Sequence, residues 1–156
     1  MKGNEKILQK LDELLADELT AIMQYMVHSE MCANWGYERL HEKVEKRAME
    51  EMHHAEDLIA RILFLEGAPT VTNLNAVHIG PGVAEQLKAD LDAEHYAVRR
   101  YNEAIHLADE VGDAVTRELL EGVVKHEDEH VDWLEAQLDQ IAQMGLPMYL
   151  STQTHE

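Results

Sequence analysis

The sequence predicts an all-α fold, a four-helix bundle with one long crossover between its second and third helices and a short C-terminal helix. Three observations carry that expectation. Only 8 glycines and 3 prolines occur in 156 residues, so the chain has few places to turn. Apolar residues recur at spacings of three and four through four long stretches, the period of a helix with one buried face. One turn-rich stretch, residues 67–82, divides those four into two pairs and holds Gly67, Pro69, Asn73, Asn75, Gly80, Pro81 and Gly82.

Taken in order, Asn4 is placed to cap a first helix running to about Asn34, stopped near Trp35-Gly36. A second helix is expected from about Tyr37 to Glu66, ending at Gly67 with Pro69 beyond. The third fills about Val83 to Val111, and Gly112-Asp113 makes a break and a cap. The fourth runs from 113 to about Met144, closed by Gly145, and Pro147 suits the first turn of a short helix over 147–151. Helices of some 30 residues span roughly 45 Å each at about 1.5 Å per residue, and such lengths pack side by side. The two short links make antiparallel hairpins. The crossover, extended, reaches roughly 50 Å at about 3.3 Å per residue, enough to return along the whole bundle.

Each apolar stripe is interrupted once, near its midpoint, by a glutamate: Glu18, Glu51, Glu94 and Glu127. Midpoints stay level whichever way neighbouring helices run, so the four carboxylates are expected to meet in one layer. Two of the glutamates open an E-x-x-H motif, Glu51 to His54 and Glu127 to His130, and that spacing puts carboxylate and imidazole on one side of a helix. The two motifs lie 76 residues apart, as do Glu18 and Glu94, Tyr25 and Tyr101, and core pairs such as Leu11/Leu87 and Leu58/Leu134. This pattern reads as a duplicated helical hairpin with a pseudo-twofold axis through the glutamate layer.

Four ionised carboxylates in an apolar interior are costly unless paired. On the stripes as drawn through the apolar residues, no lysine or arginine stands to neutralise them, so either several are protonated or cations fill the layer. Four carboxylates and two imidazoles supply ligands for two divalent metals with positions left open, and oxygen and nitrogen donors without thiolate suit Fe, Mn or Zn. A lone buried glutamate is equally well explained by protonation or solvation. The symmetric set of six is not.

Charge and cysteine content narrow the classes further. The formal net charge is −18, divided as −6 over residues 1–78 and −12 over 79–156, a field that repels nucleic acid and anionic membranes and concentrates cations. Cys32 is the single cysteine, which excludes an intrachain disulfide and a cysteine-based metal site. No secretory leader or run of 18 apolar residues is legible, and a cytoplasmic protein is expected. His28 and His126, with the remaining histidines off the stripes, are expected at the surface or in loops. On the second helix Met52 points about 100° away from Glu51, out of the core, beside Met49, Ile59 and Leu63. The first helix adds Leu8, Leu19, Met23 and Met26 beside its core stripe, a breadth that marks a subunit contact.

Nearly the whole chain resembles the bacterioferritins, haem-containing members of the ferritin-like superfamily. The likeness rests on Met1-Lys2-Gly3, Gln24-Tyr25, Asn34-Trp35-Gly36, Glu51-Met52-His53-His54-Ala55, Arg61 to Gly67, and His130-Val131-Asp132-Trp133-Leu134-Glu135. The resemblance implies that Glu18 and His54 hold one iron, Glu94 and His130 the other, and that Glu51 and Glu127 bridge the two. It implies a ferroxidase that oxidises Fe(II) with dioxygen or hydrogen peroxide, and dimers assembled into a 24-subunit shell that stores ferric mineral. It further implies Tyr25 as an electron donor beside the centre, and haem b, one per two subunits, with Met52 of each as axial ligand. A ferredoxin that reduces the core is a candidate partner. One departure stands out: Lys46 and Glu50 occupy the places where many members carry a His and an Asp on the cavity side, and Lys46 cannot ligate iron there. Two other classes remain open beside storage: a non-storage di-iron oxidase or peroxidase, and a non-catalytic metal-binding bundle.

Overall fold

The computed structural model describes residues 1–155, and within them the chain is four long antiparallel helices and one short one. Helix α1 spans Glu5–Asn34, α2 Glu38–Phe64, α3 Val83–Glu110, α4 Ala114–Met144 and α5 Leu146–Ser151. The caps follow from the sequence. Asn4 Oδ1 accepts from the amides of Lys6 and Ile7 at 2.9 and 3.3 Å, and Asp113 Oδ1 from that of Thr116 at 3.1 Å.

Helix α2 closes before the expected Glu66. The residue in the left-handed region is Glu66 itself (φ 64°), with the Gly67 amide bonded back to Ile62 O at 2.9 Å. Gly67 is needed for closeness instead: a Cβ there would lie 2.6 Å from Leu8 Cδ2. A left-handed non-glycine residue costs about 1–2 kcal/mol, which the packing of Gly67 against Leu8 and Ile62 holds in place.

The crossover climbs beside α1 and is fastened at each turn. The amides of Thr70, Asn75, His78 and Gly80 donate in order to side chains of Asp12, Thr20, Gln24 and His28. Acceptors eight, four and four residues apart share one helical face, so α1 presents a polar rail that satisfies an otherwise irregular backbone. At its end Gly80 lies under the first turn of α3, where a Cβ would come within 2.3 Å of Gln86 N. His28 is fully buried, contrary to the surface position expected for it. Its Nε2 accepts from Gly80, so Nδ1 carries the proton and donates to Asp90 Oδ1 at 2.9 Å, which also accepts from Gln24.

The apolar interior falls into two main parts. Ile7, Leu11, Leu14, Leu58, Ile62, Ala104 and Leu120 fill one end, and Cys32, Leu40, Leu87, Leu91, Leu134 and Tyr149 fill the other. Between them lies the layer of charged side chains.

Candidate metal centre

Glu18, Glu51, Glu94 and Glu127 converge at mid-bundle and are 1–2% exposed, each from a different helix. His54 and His130 join them, both buried. The duplication shows in the bonds: Tyr101 OH donates to Glu18 at 2.6 Å, and its counterpart Tyr25 OH donates to Glu94. Each tyrosine thus holds the carboxylate of the other hairpin.

The two halves of the layer differ in their contents. Glu18, Glu51, His54 and Glu127 offer one atom each within 4.8 Å of one another. Those groups also supply four buried atoms without a hydrogen-bond partner: Glu18 Oε2, Glu51 Oε1, His54 Nδ1 and Glu127 Oε1. Orphaned polar atoms of this kind are rare in proteins. Glu127 Oε1, Glu51 Oε2 and Glu18 Oε2 lie 3.2, 3.6 and 3.7 Å from His54 Nδ1, a set of oxygen and nitrogen donors that fits a divalent ion. In the other half Glu94 Oε1 is 3.1 Å from His130 Nδ1, and the space between the carboxylates is taken by Arg47.

Arg47 corrects the expectation that no cation stands on the core stripes. Its Nη2 lies 2.6 Å from Glu51 Oε1, 2.8 Å from Glu127 Oε2 and 3.3 Å from Glu94 Oε2. The approach to Glu51 is an ion contact, not an aligned hydrogen bond, so Oε1 keeps its orphan status. Nη1 reaches out to Glu50 at 2.9 Å. The Nε–H has no acceptor, which costs about 1–3 kcal/mol. Residue 47 falls four before Glu51 and three after Val44, on the same stripe. Its position carried the signal, but i,i+4 Arg–Glu pairs are also common on helix surfaces.

Electrostatics follow from burial and crowding. Burial first, then the neighbouring carboxylates, push Glu51 and Glu127 well above the usual carboxylate range. Glu94 is affected oppositely. Burial works to raise it, but hydrogen bonds from Glu127 and His130 and the charge of Arg47 hold it far below that range. Burial works to lower His54, and contact with Glu127, Glu18 and Glu51 pushes it up to about 12. Burial lowers His130. Protons and two cationic side chains thus do what metal ions would do in the layer. Burial, then Glu94, raises Tyr25 well above its usual value, so its phenol stays protonated.

His126 is exposed, as the sequence led one to expect, but it also meets the layer. It stacks on His54 with ring centres 5.3 Å apart, and its Nδ1 is 3.0 Å from His54 Nε2. When His54 offers Nδ1 as a ligand, its Nε2–H donates to His126, which fixes tautomer and ring plane. His130 is held differently, stacked on Trp133 at 5.7 Å and edge-on to Tyr25.

Cavities reach the layer from both sides. One of about 930 Å³ opens between α1 and α3, lined by Ala21, Ala93, Ala97 and Tyr96, with Asp17 and Asp92 beside them, and meets Glu18 and Glu94. Another, of about 520 Å³, lies between α2 and α4 and ends on His54 and His126. Met52 is 38% exposed on the outer side of α2, near the exposed Met49. Lys46 is exposed, and Glu50 is engaged by Arg47. No helix among the described residues is long and apolar enough to cross a membrane.

Residues 8–144 match the Ferritin-like domain family. The chain is 40% identical to a bacterioferritin of Brucella melitensis over 96% of its own length and 92% of that relative's. The chain belongs to the bacterioferritins. Among other bacterioferritins, that of Rhodobacter capsulatus is 42% identical over 93% of this chain and 90% of its own, and one from Mycobacterium tuberculosis is 38% identical over 96% and 94%.

Proposed function

We propose that this chain is an iron-storage ferroxidase. Its buried layer binds Fe(II) and oxidises it to Fe(III) with dioxygen or hydrogen peroxide, and a 24-subunit shell built from dimers retains the ferric mineral. The observation that carries this reading is the set of four orphaned ligand atoms from Glu18, Glu51, His54 and Glu127, enclosed between two apolar cores. Membership in the bacterioferritins supports it.

Glu18 and His54 would hold one iron, Glu94 and His130 the other, and Glu51 and Glu127 would bridge them. Bound there, the iron pair supplies the electrons that reduce the oxidant. The chain's own contributions are positional. Tyr101 orients Glu18, Tyr25 orients Glu94, and His126 orients His54. The apolar cores close the layer off along the bundle on both sides, which strengthens the charge interactions between them. Tyr25 serves as a one-electron donor to the oxidant, its phenolic proton passing to the Glu94 oxygen it already touches.

Met52, an exposed thioether on the outer face of α2 with Met49 one turn away, would hold haem b. A twofold contact brings Met52 of each subunit to the axis, so two subunits share one haem. The group would carry electrons between the mineral and a reductant such as a ferredoxin, in a cytoplasmic setting.

A non-storage di-iron oxidase has one observation in its favour. The cavity of about 930 Å³ is large enough for a small organic molecule beside the carboxylates. Aerobic Fe(II) addition, with ferric absorbance and particle mass followed together, separates the two. Storage predicts ferric absorbance growing on a particle of about 24 subunits. A particle of one or two subunits that accumulates no ferric iron would contradict it.

A further inference from the structure

The duplicated hairpins make the layer's two halves equivalent in their carboxylates, imidazoles and tyrosines, yet two breaks in that equivalence lie at and beside Arg47. Val123 stands 76 residues from Arg47, and Glu50 stands 76 residues from His126. Both breaks meet at one place: Arg47 bonds Glu50 through Nη1, and the same nitrogen is 3.5 Å from His126 O. Symmetry makes Val123 the counterpart of Arg47 in the first half, and a valine leaves that half without a guanidinium. The second half has one.

We infer that Arg47 is a resident cation in the Glu94–His130 half of the centre, so that the subunit takes one divalent ion readily and a second only by displacing the guanidinium. Three observations support this. All four orphaned ligand atoms belong to residues of the metal-sized group that excludes Glu94 and His130. In the second half His130 Nδ1 is hydrogen-bonded to Glu94 at 3.1 Å, while His54 Nδ1, 3.2 Å from Glu127 Oε1, makes no aligned bond. Arg47 Nη2 touches both bridging glutamates and Glu94 at once, the three carboxylates a second ion would need. A guanidinium keeps its charge in proteins, so this half empties only if the side chain moves.

The side chain can leave. Its Nε–H is unpaired in the layer, and Nη1 already bonds Glu50, whose side chain is 42% exposed. Swinging toward Glu50 would free the carboxylates while keeping one ion pair. Order of filling is therefore built into the centre: the Glu18–His54 half first, then the half that Arg47 vacates.

This inference rests on the metal-centre reading above, and the test separates the two. Apo assemblies of the wild type and of Arg47→Val, the residue its counterpart position carries, are dialysed against Co(II) at about 0.15 M salt, which screens ions held loosely at the acidic surface. Bound cobalt is measured per subunit, with electron paramagnetic resonance reporting coupling between ions that share Glu51 and Glu127. The expected result is one tightly held, uncoupled ion per wild-type subunit, with a second weaker by at least about tenfold because a buried ion pair must break. Arg47→Val should take two ions of similar affinity and lose resonance intensity through coupling. Arg47→Gln, which keeps polarity without charge, serves where the valine variant does not fold. Two ions of similar affinity in the wild type would overturn the role of Arg47 while leaving the metal centre standing. So would a foldable variant that gains no second ion. Cobalt retained by neither protein would overturn the metal centre as well.

Discussion

His54 presents one ring nitrogen to the carboxylates and the other to His126, so its aim is set by a residue that touches no carboxylate of the layer through its own ring. Removing that partner should leave the ligand present but loosely aimed. His126→Ala is expected to weaken Co(II) binding in the Glu18–His54 half by about 10- to 100-fold, measured by equilibrium dialysis, with little change in helix content. Unchanged affinity would show that His126 only fills space. At this scale the sequence was unevenly informative. A glutamate on an apolar stripe breaks a pattern, which is why Glu18, Glu51, Glu94 and Glu127 were legible. Arg47 and His126 break none. An arginine four residues before a glutamate reads as a surface pair, and its further partners Glu94 and Glu127 come from α3 and α4. His28 was misread for the same reason, because Asp90 is 62 residues away.

Helix α4 begins on Asp113, whose carboxylate caps Thr116 and also pairs with Arg61 of α2 at 3.0 Å. One side chain therefore starts a helix and ties it to its neighbour. Asp113→Ala should cost about 1–2 kcal/mol of stability, read from denaturant unfolding of the apo protein. The pH dependence has a definite sign. Burial works to raise this carboxyl, but the Thr116 hydroxyl and amide, then Arg61, hold it below its ordinary value of 3.8. A folded value below the unfolded one means the stabilisation is complete above about pH 3.8 and is lost as pH falls through the folded value. The difference between wild type and variant should therefore be full at neutral pH and shrink in strong acid. A difference that grew on acidification would contradict the assignment. Helix starts of this kind were legible because capping is local. The end of α2 was not, since the choice between Glu66 and Gly67 turned on packing against Leu8 in a different helix.

Across the whole molecule, the duplication legible at a spacing of 76 residues reappears as reciprocal Tyr25–Glu94 and Tyr101–Glu18 bonds about one centre. Its outer surface is less symmetrical. Met23, Met26, Met49 and Met52 are all exposed on the first hairpin, whereas the second hairpin carries no such group of methionines. That face suits a twofold contact with a second copy. Met52→Leu should abolish haem absorbance in protein reconstituted with haem, yet keep the dimer, the shell and Fe(II) oxidation, because leucine fills a similar volume at a cost below about 1.5 kcal/mol and has no ligand atom. Haem retained at one per two subunits would show that another residue holds it.

The central claim is that the buried carboxylate layer oxidises Fe(II). Its most direct test is the initial rate of ferric absorbance when Fe(II) is mixed aerobically with the wild type and with Glu127→Ala, both checked for helix content. Glu127 is proposed to bridge both ions, and losing even an outer partner of a metal ligand costs about 10- to 100-fold. The rate should therefore fall by more than about 100-fold, toward that of Fe(II) in buffer. An initial rate equal to the wild type in the folded variant would contradict the assignment of the centre.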